Sequence, residues 1–109
     1  MNSFEVKNMG VAQEKVSSLE SVKEDVFYEL GYIERTLRSL INKEEGYDFA
    51  DTGDSMMTID SVLSSNDNYK EALSMRKEAS KKIIEGTEEE KKEGFKEMGE
   101  WVEKVKSLF

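Results

Sequence analysis

Apolar residues in the first half of the chain recur every three or four positions, which is the spacing of one face of an α-helix. Each residue turns a helix by about 100°, so side chains at these steps share a face. The stripe consists of Leu19, Val22, Val26, Leu30, Ile33, Leu37 and Leu40. It predicts one long helix over residues 11–43, preceded by a segment 1–10 that is extended or frayed.

The periodicity is lost after Lys43 and returns further along the chain. Gly46 and Gly53 stand among acidic residues and indicate a connection. Ser55 is placed to cap a short helix over Met56–Leu63. On that helix, one side carries the apolar residues Met56, Ile59 and Leu63.

Two capping signals predict the remaining helices. Asn68 with Glu71 indicates a capping box that opens a third helix, and Gly86 suits its C-terminal end. Its small residues, such as Ala72 and Ala79, would let a neighbouring helix approach closely. A second capping box, Thr87 with Glu90, opens the last helix.

The fold class follows from the spacing of apolar residues, which is that of helices and not that of strands. No stretch alternates apolar and polar residues for long, as a half-buried strand would, and the chain contains no Pro. We therefore predict an all-α protein, a small helical bundle with long first and last helices and shorter middle helices. With 109 residues it forms a single helical domain over 1–109, in which 44–68 is an acidic connecting segment with one short helix.

The composition excludes most catalytic chemistry. The chain has no Cys and no His, so thiol nucleophiles, disulfides and the usual neutral-pH general base are missing. No phosphate-binding glycine motif occurs. We expect a protein that is not an enzyme and that carries no cofactor and no metal.

The charge is concentrated in one segment. The net charge is −8, and residues 44–68 contain no Lys or Arg but seven acidic residues, namely Glu44, Glu45, Asp48, Asp51, Asp54, Asp60 and Asp67. Such a segment repels a nucleic-acid backbone and attracts basic surfaces. Asp48, Asp51 and Asp54 do not match a calcium loop, because Ile59 stands where the bidentate Glu is required. We treat these three residues as candidate contacts to a basic partner, or simply as a solvated connection.

Three side chains of the long helix are predicted to face away from its apolar stripe. With Val26 at 0°, Tyr28 falls at about 200°, Tyr32 at about 240° and Arg35 at about 180°. Tyr and Arg are enriched at binding hot spots, and Gly31 beside them would let another backbone come close. The alternatives are that the protein's own chain covers this face, or that the Tyr residues simply lie on the surface.

Met56 and Met57 are further candidates in the acidic segment. Methionine side chains are flexible and adapt to varied partners. The two residues therefore either contact a partner or fold down as a lid on the core.

The leading functional hypothesis is a non-catalytic helical protein–protein interaction module, such as an adaptor, an inhibitor or an assembly factor. Its partner is another protein or a second copy of the chain, and neither nucleic acid nor a membrane is expected to bind directly. The first alternative is an acidic, antitoxin-like inhibitor that occupies the basic site of a nucleic-acid enzyme.

A second alternative is a secreted WXG-like helical hairpin that partners a larger effector. The length, the acidity and the long first helix suit that class. The Trp-x-Gly turn is missing, because the chain reads Glu44-Glu45-Gly46, and we assign the chain to no family. The sequence begins without a signal peptide and contains no apolar run of membrane-spanning length, so we expect a cytoplasmic protein, with export by a signal-peptide-independent route left open.

Overall fold

The computed structural model describes residues 3–109, and the side chains from residue 22 onward. It contains helix α1 (Ser3–Ile41), a 3-10 turn (Phe49–Thr52), and helices α2 (Gly53–Val62), α3 (Tyr69–Glu85) and α4 (Glu88–Lys106). No β-strand occurs within residues 3–109. The predicted all-α bundle is confirmed, although α3 is nearly as long as α4.

Helix α1 begins earlier than the periodicity predicts. It includes residues 3–10, so the expectation of an extended or frayed segment there is wrong for these residues, and residues 1 and 2 lie outside the description. Asn8 and Gly10 have low helix propensity, but no Pro is present to end the helix. At the other end Lys43 has φ 58°, and the backbone N–H of Glu44 donates to the Ser39 carbonyl at 2.9 Å. These are the features of a Schellman stop.

The apolar stripe of α1 forms the centre of the core. Val26, Leu30, Ile33 and Leu37 are buried, Val22 and Leu40 are half-buried, and Leu19 precedes the described side chains. The other helices add the buried residues Met56, Ile59, Leu63, Tyr69, Ala72, Ala79, Ile83, Met98, Trp101, Val102 and Val105. Burial of these side chains provides the main stabilisation of the bundle.

Two elements flank α1 on opposite sides of its buried stripe. Helix α4 runs antiparallel to α1, with Lys106 Nζ 3.2 Å from Glu34 Oε1 and the rings of Phe109 and Phe27 in an edge-to-face contact at 5.8 Å. On the other flank, Ser55 Oγ of α2 donates to a Glu29 carboxylate oxygen at 2.6 Å. The remaining face of α1 points away from both flanks.

Small residues allow helices α3 and α4 to pack closely, as the sequence predicts. Ala72 and Ala79 are fully buried on α3. A Cβ atom added at Gly94 would lie 2.8 Å from Ile83 Cγ1 and 2.9 Å from the Ala79 carbonyl oxygen. Gly94 is therefore required where the two helices meet, despite its low helix propensity.

The helix caps are only partly as predicted. The Thr87–Glu90 capping box is present, with Glu90 N–H donating to Thr87 Oγ1 at 3.2 Å and Thr87 N–H donating to Glu90 Oε1 at 2.9 Å. The Asn68 cap is wrong, because its side chain caps nothing, and Asn66 Oδ1 instead accepts from the Asn68 N–H at 2.8 Å. Ser55 does not cap α2 either, because that helix starts at Gly53 and Ser55 lies inside it, bonded to α1.

Candidate functional site

The outward face of α1 carries the aromatic and cationic side chains that the helical wheel places there. Tyr28 is 72% exposed and Tyr32 is 38% exposed, and Arg35 is exposed as well. All three lie between the flank covered by α4 and the flank covered by α2. We call Tyr28, Tyr32 and Arg35 the tyrosine surface; its exposure is observed, and its role in binding stays a prediction.

Arg35 fills the space beside Gly31. A Cβ atom placed on Gly31 would lie 3.6 Å from Arg35 Nη1, so the guanidinium already lies over this glycine. Within residues 22–109, no carboxylate oxygen comes within 4.0 Å of Arg35. The tyrosine surface therefore offers guanidinium donors that the described part of the chain does not pair with a carboxylate, and the exposed Arg35 side chain lies beside Gly31.

The protein's own chain covers the same side of α1 near the helix end. Thr36 and Ser39 are buried, although the wheel places Ser39 at about 220°, between the directions of Tyr28 and Tyr32. The connection after Ile41 folds back here, and the 3-10 turn contacts α1. The exposed tyrosine surface therefore ends at Arg35, before the buried residues Thr36 and Ser39.

The three candidate aspartates are exposed, but two of them have a structural role. Asp48 Oδ1 accepts from the Ala50 N–H at 3.2 Å, and Asp51 Oδ2 accepts from the Asp48 N–H at 3.2 Å. These bonds form a capping box that opens the 3-10 turn. Asp54 lies in the first turn of α2, where its negative charge suits the helix dipole.

The two candidate methionines have opposite environments. Met57 is 70% exposed, whereas Met56 is buried. The Met56 sulfur accepts from Thr52 Oγ1 at 3.8 Å and from Arg76 Nη1 at 3.9 Å. The prediction that Met56 contacts a partner is therefore corrected: this side chain belongs to the core, as the lid alternative predicts, and only Met57 remains on the surface.

A polar cluster that the sequence analysis missed lies between α2, α3 and α4. The Asp60 carboxylate accepts from the Tyr69 hydroxyl and from the Arg76 guanidinium, with Arg76 Nε at 3.1 Å from Asp60 Oδ1. Arg76 and Asp60 are mostly buried, and Tyr69 is fully buried. Arg76 interrupts the apolar stripe of α3 in the sequence. A charge on this mostly buried face requires a nearby acidic side chain to neutralise it.

Within the cluster, Asp60, Tyr69 and Arg76 satisfy one another's charges and hydrogen bonds. Burial and the neighbouring Asp60 carboxylate raise the pKa of Tyr69 above its ordinary value, so its hydroxyl stays protonated and donates to Asp60. The indole N–H of Trp101 lies beside Tyr69 but makes no hydrogen bond. The Asp60, Tyr69 and Arg76 side chains indicate a structural role, because their donors and acceptors point to one another.

In the part of the chain that the structure describes, no group of three or more acidic side chains gathers closely enough to hold a metal ion. Nor does any helix there have the length and apolar character needed to cross a membrane. Comparisons with protein-family models, with curated proteins and with solved structures find no match to this chain.

Proposed function

We propose that this protein is a non-catalytic helical module that binds another protein through the tyrosine surface. The observation that supports this function is the exposure of Tyr28, Tyr32 and Arg35 on one face of a helix whose opposite face is buried. An adaptor, an inhibitor and an assembly factor would each use such a face.

The chemistry of this surface defines the partner it suits. Two phenol rings provide apolar contact area with few rotatable bonds and a hydroxyl at the tip. Arg35 lies within one turn of Tyr32, and no carboxylate oxygen of residues 22–109 lies within 4.0 Å of its guanidinium. The complementary partner surface therefore presents an acidic side chain to Arg35 beside apolar groups that cover the rings.

The test is a double substitution, Tyr28→Ala with Tyr32→Ala. We expect it to abolish association, measured by sedimentation velocity at several concentrations for self-association and by co-purification from an extract of the source cell for other partners. Circular dichroism is expected to show unchanged helicity, because both rings are exposed. Tyr47→Ala is the matched control, since Tyr47 is 48% exposed but lies outside α1.

Two results would contradict the proposal. If the double variant retains every association of the unchanged protein, the two rings are not needed for binding. A double variant that loses helicity shows that they stabilise the fold.

The acidic-inhibitor hypothesis makes a different prediction. It requires Asp48, Asp51 and Asp54 to carry the affinity, so replacing all three by Asn would weaken binding strongly and remove its salt dependence. Asn also accepts the capping hydrogen bonds, which preserves the 3-10 turn. The tyrosine-surface proposal expects this triple variant to bind as the unchanged protein does. The WXG-like hairpin gains no support from the architecture, in which four helices rather than two are described.

A further inference from the structure

A groove lies between the C-terminal end of α1 and the first turns of α4. Its volume is about 490 Å³, and it is open to solvent. The apolar floor consists of Leu40, Ile41 and Phe95, and the rim carries Lys43, Lys91, Lys92, Lys96 and Glu88. We call it the lysine-rimmed groove.

The charge of this groove is opposite to that of the whole protein. Four lysines and one glutamate line it, in a chain with a net charge of −8. Lys91 lies 3.8 Å from Glu88. No carboxylate oxygen of residues 22–109 lies within 4.0 Å of Lys43, Lys92 or Lys96. The rim therefore carries four positive charges, of which Lys91 is paired with Glu88 and Lys96 acts electrostatically on Glu93.

The floor of the groove continues the apolar stripe of α1 beyond the part that the bundle covers. Ile41 is the last residue of α1 and is 56% exposed, whereas Leu40 next to it is half-buried. Phe95 of α4 is half-buried and packs against the edge of the core. Covering these side chains would remove further apolar surface from water, which is favourable.

We propose that the lysine-rimmed groove binds an acidic amphipathic helix of a partner protein. The volume lies within the range of ligand-binding clefts, and because the groove is open to solvent an occupant can bury one face in it. An amphipathic helix buries one face by placing apolar residues, spaced three or four apart, into a groove between helices. Acidic residues beside that face would meet the ammonium groups of Lys43, Lys92 and Lys96, which supplies the charge complementarity.

This site is independent of the tyrosine surface. Tyr28 and Tyr32 lie eight or more residues before Leu40 and leave α1 in other directions. A variant of one site therefore leaves the other intact, so failure at the groove and failure at the tyrosine surface can be told apart.

The probe is a displayed library of random twelve-residue peptides, selected on the intact protein. We expect enriched peptides to combine Asp and Glu with Leu, Ile or Phe at helical spacing. Lys92→Glu with Lys96→Glu is expected to weaken their binding at least tenfold, and Phe95→Ala to weaken it as well. The matched control, Lys77→Glu with Lys81→Glu, changes the net charge equally on exposed residues of α3 outside the groove and is expected to have little effect.

Several results would overturn the proposal. These are the absence of enriched peptides, enrichment of basic or uncharged peptides, equal weakening by the two lysine pairs, or indifference to Phe95→Ala. A second measurement adds decanoate to isotope-labelled protein and follows the amide shifts of Leu40, Ile41 and Phe95. If decanoate shifts these residues while no acidic peptide binds, the groove takes a small amphipathic anion and the partner helix is rejected.

Discussion

The same two residues occur at the same spacing on two helices and have opposite environments. Tyr28 and Arg35 are seven apart on α1, and Tyr69 and Arg76 are seven apart on α3. The α1 pair is exposed, whereas on α3 the tyrosine is fully buried and the arginine is mostly buried. The difference is a carboxylate: Asp60 of α2 accepts hydrogen bonds from both members of the α3 pair.

This comparison shows that the residues of one helix do not decide whether a Tyr–Arg pair is structural. A phenol and a guanidinium can be buried only where another element supplies an acceptor and cancels the charge. In the α1 pair, Arg35 has no such carboxylate within residues 22–109. The interior pair should therefore be sensitive to loss of its acid, and the surface pair is the one suited to an acid from outside.

The largest effect is expected from Asp60→Ala. It leaves the mostly buried Arg76 without a counter-charge and the Tyr69 hydroxyl without its acceptor, and it should lower the free energy of unfolding by about 3 kcal/mol. Urea unfolding followed by circular dichroism measures this change. Asp67→Ala is the control, because Asp67 is 94% exposed and its 3.8 Å pair with Lys70 contributes less than about 1 kcal/mol. Equal effects of the two substitutions would contradict a structural role for the interior cluster.

A smaller loss is expected from Gly94→Ala on α4. The added methyl group would press on Ile83 and on the Ala79 carbonyl and should lower the free energy of unfolding by about 2 kcal/mol. Gly99→Ala on the same helix meets no heavy atom within 4 Å and should raise it by up to about 1 kcal/mol. Thermal unfolding of the two variants measures the difference. If both substitutions stabilise the protein, the close approach of α3 and α4 is contradicted.

The sequence predicts local features of this fold well. Periodicity identifies the buried face of α1, the small residues Ala72 and Ala79 indicate that a neighbouring helix approaches α3 closely, and the Thr87–Glu90 signal correctly marks the start of α4. These features depend on residues a few positions apart, so the sequence contains all the information they need.

The interior cluster could not be predicted in the same way. Asp60 lies among solvated acids of the connecting segment, and its pairing with Arg76 depends on how α2 is placed against α3. The burial of Met56 could be predicted from the sequence, because periodicity groups Met56 with Ile59 and Leu63. Met57, the next residue, points about 100° away from that side of the helix. Tertiary placement, rather than composition, separates the buried residues of this segment from the exposed ones.

The pH dependence of stability provides a further test of the interior pair. The pKa of Tyr69 is raised in the folded state, so its contribution to stability is fully present below its unfolded value of about 10 and is lost as the pH rises further. We expect the free energy of unfolding to fall above pH of about 10, by at most about 1.4 kcal/mol per pH unit from this group. Lys82 and Lys106 also have raised pKa values, because each is paired with glutamates, and they add to the fall. Tyr69→Phe should therefore reduce the slope without removing it, and an unchanged slope would contradict the assignment.

The smallest effect is expected at the surface pair. Arg35→Ala removes a guanidinium that lies over Gly31 and pairs with no carboxylate of residues 22–109, so the free energy of unfolding should change by less than about 0.5 kcal/mol. Arg76→Ala is its matched counterpart, since it leaves Asp60 buried without a counter-charge and should cost about as much as Asp60→Ala. Urea unfolding of the two arginine variants under identical conditions measures the contrast. If Arg35→Ala costs more than about 1 kcal/mol, this arginine stabilises the fold, and the tyrosine surface loses the group that we expect to meet a partner's acid.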